Sequence, residues 1–329
     1  MSDSVVEAND GCRLWTDRRG GGECLVLCHG GPGLADYLEP LATMLEDRFR
    51  VVRWNQRGSG RSQRVGPYTT GRFVEDLSAV VTAVSDGPVV LLGHSWGAGL
   101  ALQYALRHPG QVRALIYMSG TGIGADWKDR WRRNVKARTS DADLRAIAQL
   151  GQRQRTEEED RRLAVLQWTS DFADRARAAD LAEQLASPWY PINYECNAAL
   201  NAEADAWDEA DLRTRCQALG VPTLIVDGAC DPRPRDAVNS LHEALPLADR
   251  VTLPDTGHVP WLESPELLRQ VVLEYTDFTL PDREQRRMLD PRDRNSPGQS
   301  NSSRVVPSGI PGGTSADSQV GLSAARLRA

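Results

Sequence analysis

Gly93-His94-Ser95-Trp96-Gly97 sets a serine among small residues, directly after the apolar run Val89-Val90-Leu91-Leu92 and directly before a helical stretch over 98–107. A serine hydroxyl is a weak nucleophile until a neighbouring base takes its proton. Held on a sharp strand-to-helix turn, it would stand clear of a sheet edge at a helix N-terminus, provided its neighbours are small enough to avoid backbone clashes. Gly93, Gly97, Ala98 and Gly99 meet that condition. A glycine-rich connection whose serine merely caps the helix is the alternative, and the strand before it and helix after it favour the nucleophile.

The chain has five histidines from which a base could come. His29 and His94 lie inside glycine-containing motifs, His108 ends a helix at His108-Pro109-Gly110, and His242 lies on another helix. His258, in Asp255-Thr256-Gly257-His258-Val259-Pro260-Trp261, follows the last strand pattern, in a loop that can hang over a sheet edge. A third group, an acid, must hold the second imidazole nitrogen. Asp231, in Asp227-Gly228-Ala229-Cys230-Asp231-Pro232, follows the strand pattern ending at Val226. Its competitors are Asp227, too near the strand to reach over, Asp236, on a helix, and Asp255, which braces its own turn. The chain order Ser95, Asp231, His258 is the one expected of a serine on such a turn. Acyl transfer also needs amide donors for the developing oxyanion. Trp96 and Gly31, the latter within His29-Gly30-Gly31-Pro32-Gly33, are the candidates.

The elements that must position these groups read as an α/β chain. Leu25–Cys28, Val51–Trp54, Val89–Leu92, Ala114–Met118, Thr223–Val226 and Arg250–Leu253 are short, nearly continuous apolar runs, as parallel strands covered on both faces require. Helices are expected over 73–85, 98–107 and 265–278, giving the strand–helix alternation of a mostly parallel sheet with helices on both faces. From 121 to 216 the chain is helical and polar, without buried strand runs, and reads as a cap inserted after the sixth strand, over the carboxyl edge where open sheets bind ligands. Residues 1–120 and 217–280 then form the core. From 281 to 329 Pro, Gly, Ser, Asp and Arg dominate, a composition too polar to offset its ordering entropy, so a disordered tail is expected.

Composition narrows the field further. A net charge of −6 offers no basic footprint for nucleic acid and no cationic face for an anionic membrane. No signal-like start or membrane-length apolar run is visible, and the six scattered cysteines show no metal spacing. A cytoplasmic protein with reduced thiols and neither metal nor cofactor is expected. Its partner would be a small-molecule or short-peptide substrate, and its oligomeric state stays open.

Taken in order and spacing over residues 20–280, His29-Gly30-Gly31-Pro32-Gly33, Asn55-Gln56-Arg57-Gly58-Ser59-Gly60-Arg61-Ser62, Gly93-His94-Ser95-Trp96-Gly97 and Gly257-His258 resemble the proline iminopeptidases of the α/β-hydrolase superfamily. The resemblance implies the α/β-hydrolase fold, an acyl-enzyme mechanism, and an aminopeptidase releasing N-terminal proline or another hydrophobic residue from short peptides. It makes the second motif mainly structural, and Asn55, where the family usually has Asp, should loosen that loop. It also implies cap glutamates for the substrate ammonium, since a buried cation needs carboxylate partners. Glu195 and Glu203 are the local candidates, eight residues apart on one helix, with two solvated surface acids as the alternative. Trp127, Trp131, Trp168, Trp189 and Trp207 fall in the cap, and Trp96 and Trp261 adjoin catalytic candidates, which suggests an aromatic pocket with Trp261 touching substrate. Two rivals stand beside this: an esterase, lactonase or amidase without amine recognition, and a non-catalytic binding protein on the same scaffold.

Overall fold

Eight strands form one sheet in the computed structural model, which describes residues 2–124 and 127–279. The tail expected from 281 lies outside the described residues. The strands are β1 (Ser2–Glu7), β2 (Arg13–Arg19), β3 (Glu23–Cys28), β4 (Phe49–Trp54), β5 (Val89–His94), β6 (Val112–Met118), β7 (Thr223–Gly228) and β8 (Ala248–Leu253), in the spatial order β1-β2-β4-β3-β5-β6-β7-β8. From β4 through β8 every pairing is parallel, while β1–β2 and β2–β4 are antiparallel. The helices are α1 (Glu39–Leu45), α2 (Thr70–Val84), α3 (Trp96–Arg107), α4 (Trp127–Arg138), α5 (Asp141–Gly151), α6 (Glu157–Trp168), α7 (Ala178–Leu185), α8 (Tyr194–Asp205), α9 (Glu209–Gln217), α10 (Arg235–Ala244), α11 (Pro260–Glu263) and α12 (Pro265–Thr279).

The central strands are buried on both faces because side chains alternate between two cores. Leu91 of β5 packs on one side with Phe73, Leu77 and Val81 of α2 and with α3. Val90 and Leu92 pack on the other with Leu41 and Leu45 of α1 and with Leu268 and Val272 of α12. Each such side chain contributes about 1.5–3 kcal/mol by leaving water, so the alternation fixes the register. Helix α2, expected over 73–85, buries Val74, Leu77, Val81 and Val84, and the Thr69 hydroxyl caps its start by accepting from the Arg72 amide.

Between β6 and β7 lie helices α4–α9, where the cap was expected. Its last helix, α9, packs against α10 and sends Leu212 and Cys216 into the core. All six cysteines are free, five of them buried, and burial pushes the Cys28 thiol up to about 12. Among the described residues no helix is long and apolar enough to cross a membrane.

Candidate active site

Strand β5 ends at His94 and α3 starts at Trp96, so Ser95 alone turns the chain, at φ 57° and ψ −123°. A non-glycine residue holds that conformation only where its surroundings enforce it. Gly97 shows how tight the turn is. A Cβ there would stand 2.2 Å from the Cys28 carbonyl oxygen and 2.3 Å from that of His29. Gly99 differs from expectation, since nothing lies within 4 Å of where its Cβ would be. It lines a cavity and the turn does not require it.

His258 and Asp231 meet over the sheet edge. The imidazole Nδ1–H donates to Asp231 Oδ2 at 2.6 Å, with both side chains buried. The competing acids are occupied elsewhere. Asp227, on β7, pairs with Arg250 and accepts from Thr252, Asp236 on α10 pairs with Arg130, and Asp255 stands at φ 48° in its turn. Burial alone would push the Asp231 carboxyl up, but the charges and hydrogen bonds of His258 and Arg233 outweigh it and hold the group well below the usual carboxylate range.

Arg233 was not anticipated. Its backbone amide donates to Asp231 Oδ1 at 2.8 Å, and its Nη1 lies 3.3 Å from Asp231 Oδ1 and 2.7 Å from Asp171 Oδ1. Asp171 sits in a short 3-10 turn of the insert, Thr169–Asp171, and its carbonyl accepts the His258 amide at 2.7 Å. Only its place two residues after Asp231 marked Arg233 in the sequence, and nothing marked Asp171.

A second network ties the loops together from behind. The Gly30 amide donates to the Tyr37 hydroxyl at 2.8 Å, and that hydroxyl donates to His94 Nδ1 at 2.7 Å. His94 Nε2 bonds the His258 carbonyl at 2.8 Å, which can only accept, so the proton of neutral His94 resides on Nε2. Burial and the neighbouring His258 keep the His94 pKa well below its ordinary value. The Gly30 amide is thus committed, whereas the Gly31 amide donates to no backbone acceptor among the described residues, and Trp96, opening α3, has no intrahelical acceptor for its amide.

Two cavities meet at Ser95. One, of about 470 Å³, is lined by Gly31, Ser95, Trp96, Trp127, Trp207 and Asn201 among others. The other, of about 390 Å³, is more apolar and includes Ser95, His258, Val135, Leu144, Ile147 and Trp168. Gly31, Ser95, Trp131 and Arg233 border both. Ser95 and His258 therefore face one space, although no hydrogen bond joins their side chains.

The insert is fastened to the loops that frame these cavities. Asn193 donates its amide to the Gly33 carbonyl at 2.9 Å and its side chain to the Gly58 carbonyl at 3.0 Å, while Asn197 donates to the Pro32 carbonyl at 2.9 Å. The Asn55 loop is not loosened. Asn55 Oδ1 accepts the Asp36 amide at 2.8 Å, serving as the acceptor a carboxylate would be. Arg57 is fully buried against Asp76, and Gln56 brackets His29.

Three expected substrate contacts are corrected. Glu195 is exposed, and the Glu203 carboxylate accepts the Thr70 amide at 2.7 Å at the start of α2, away from both Ser95 cavities. Burial of Cys196 and Leu200 turns α8 so that Asn197, Asn201 and Asp205 face the cavity instead, and Asp205 is paired with Lys128. Trp261 is buried behind His94, edge-on at 4.6 Å between ring centres and stacked on Tyr37 at 6.0 Å, and lines a neighbouring groove with Trp189.

With this geometry goes a sequence match to the α/β-hydrolase fold family over residues 23–265, and the chain belongs to that family. Within it the chain is proline iminopeptidase-like. It is 26% identical over 274 residues to a proline iminopeptidase of Heyndrickxia coagulans, covering 79% of this chain and 92% of that protein. A proline iminopeptidase of Xylella fastidiosa strain Temecula1 is 26% identical over 282 residues, 76% of this chain and 88% of its own. The fold is shared with a thermophilic esterase from Thermogutta terrifontis, at TM-score 0.66 and 21% identity over 85% of this chain and 99% of that one. It is shared too with a meta-cleavage product hydrolase from Pseudomonas fluorescens IP01, at TM-score 0.64 and 21% identity over 83% and 97%.

Proposed function

We propose that this chain is a serine hydrolase working through an acyl-enzyme, and that it releases N-terminal proline or another hydrophobic residue from short peptides. The 2.6 Å contact of His258 with Asp231, beside a cavity that both His258 and Ser95 line, carries the chemical part of the reading. Ser95 Oγ attacks the acyl carbonyl while His258 Nε2 takes its proton, and Asp231 holds the tautomer and stabilises the imidazolium. The Gly31 and Trp96 amides receive the oxyanion. His258 returns the proton to the leaving group, and a water molecule activated by the same base releases the acyl residue. The open Ser95–His258 spacing is compatible with this, because such hydrogen bonds tighten when substrate is bound. The peptidase part is supported by the near full-length similarity to proline iminopeptidases and by the apolar cavity beside Ser95.

A second reading, an ester, lactone or amide hydrolase without amine recognition, has its own support in the orientation of Glu195 and Glu203 away from Ser95. One set of assays addresses both. An aryl fluorophosphonate should label wild type at Ser95 and leave Ser95→Ala and His258→Ala unlabelled. Unchanged labelling of Ser95→Ala would refute the mechanism. Prolyl and other hydrophobic aminoacyl arylamides should be turned over with higher kcat/KM than N-blocked arylamides or aryl acetates. The reverse preference would replace the peptidase reading with the second one.

A further inference from the structure

The salt-bridged residues around His258 extend beyond the triad. Asp231, on the core loop, contacts the imidazole. Arg233 contacts Asp231, and Asp171, on the insert, contacts Arg233. All three side chains are at most 15% exposed, so water screens them little. With His258 neutral, the two carboxylates outnumber the single guanidinium by one charge. With the imidazolium formed, the four side chains balance.

We propose that Asp171 and Arg233 are positioning residues for the reaction, a carboxylate of the insert and a guanidinium of the core loop that together set how readily His258 takes up the serine proton. Arg233 by itself would compete with the imidazole for Asp231 and disfavour a second positive charge beside it. Asp171 draws the same Nη1 to 2.7 Å, against 3.3 Å for Asp231, and restores the balance. The Asp171 carbonyl also holds the His258 amide, so the insert fixes the base in position as well as in charge. The other titratable neighbours differ in kind. His94 is neutral at 4.7 Å between ring centres, Tyr37 is a half-buried phenol whose pKa is pushed up by desolvation, and Glu263 binds the Gly257 amide on the same turn. Glu263 also accepts the Ala173 amide of the insert at 2.6 Å, but only Arg233 of these groups touches Asp231.

The inference rests on His258 being the base, and its test separates the two ideas. The rate of Ser95 labelling by an aryl fluorophosphonate, followed against pH, has an acid limb set by that base and needs no natural substrate. Asp171→Asn removes a negative charge, which disfavours the imidazolium, so the limb should move about 0.5–1 pH unit lower. Arg233→Met removes a positive charge and should move it higher by a similar amount. The double variant should return close to wild type, and Arg233→Lys, which keeps the charge, should leave the limb in place. Opposite shifts that cancel are not produced by loosened packing. If Arg233→Met does not fold, the downward limb of Asp171→Asn and the unmoved limb of Arg233→Lys carry the test. Limbs that stay put, or shift in the same direction, while His258→Ala is unlabelled overturn the proposal and leave the base assignment standing. Labelling of His258→Ala at the wild-type rate overturns both.

Discussion

Gly97 and Gly99 lie two residues apart on the first turns of α3, and alanine at each should have opposite effects. At Gly97 the new Cβ would stand 2.2 Å from the Cys28 carbonyl oxygen and 2.3 Å from that of His29. An ordinary carbon–oxygen contact is about 3.4 Å or more, so strand end and helix must part by about 1 Å. Overpacking of backbone on backbone costs about 1–3 kcal/mol. In a chain of this size that lowers Tm by roughly 2–8 °C. The catalytic effect should be larger, because the parting occurs between the Ser95 turn and the loop that carries Gly31, and a misplacement of about 1 Å can cost about 100-fold. At Gly99 the Cβ meets nothing within 4 Å, so Gly99→Ala gains helix propensity worth about 0.5–1 kcal/mol and should raise Tm slightly. Differential scanning calorimetry and the rate of fluorophosphonate labelling on the two variants read both effects. If Gly97→Ala labelled at the wild-type rate with an unchanged Tm, the argument that backbone proximity holds Ser95 in its strained conformation would be wrong.

Asp231→Asn should reduce the labelling rate on the order of 10³- to 10⁴-fold, by presenting the wrong hydrogen-bonding group to Nδ1. A smaller loss than that caused by Asp255→Asn would mean that the acid is misassigned. Because the Asp231 pKa is lowered on folding, its ionised form adds stability above the unfolded carboxyl pKa of about 4, and that stability disappears as pH falls. Asp231→Asn should therefore flatten the decline of Tm below about pH 5, and a decline as steep as wild type would refute the linkage. Glu195→Gln and Glu203→Gln should leave the ratio of aminoacyl arylamide to aryl ester turnover unchanged, with Glu203→Gln alone lowering Tm by about 1–2 °C through its weakened charge at the α2 N-terminus. A tenfold fall in the ratio for either would restore it as an ammonium ligand.

What could be read from the sequence is what local pattern encodes. The central strands announced themselves because burial on both faces leaves no room for polar residues, and the turn at Ser95 because its neighbours must be small. Asp231 was preferred because Asp227 lies too near its strand, Asp236 falls on a helix and Asp255 braces its own turn. The N-terminal pair β1 and β2 escaped notice because an edge hairpin tolerates charge. Arg19 and Arg53 neutralise Asp17 there, which hides the strand pattern. The facing of α8 was equally hidden. It depends on Cys196 and Leu200 seating in the core, which carries Asn197 and Asn201 round to the cavity and Glu195 out to solvent. Contacts between distant segments, Asp171 with Arg233 and Tyr37 with His94, leave no spacing signal at all.

The way the insert is fastened divides it into two parts with different freedom to vary. Asp171, Asn193 and Asn197 hold the loops carrying His258, Gly33, Gly58 and Pro32, so under the proposed mechanism they would be needed whatever the substrate is. Helices α4 and α5 contribute Trp131, Val135, Leu144 and Ile147 to the cavity wall, and none of these four grips a catalytic loop by a hydrogen bond. Substitutions at those four positions would therefore reshape the cavity wall without removing a hydrogen bond to these loops, whereas Asn134 of α4, which donates to the Pro232 carbonyl beside Asp231, belongs with Asp171, Asn193 and Asn197. Lifting the insert as a rigid lid would break these bonds and pull on both the His258 turn and the loop that carries Gly31.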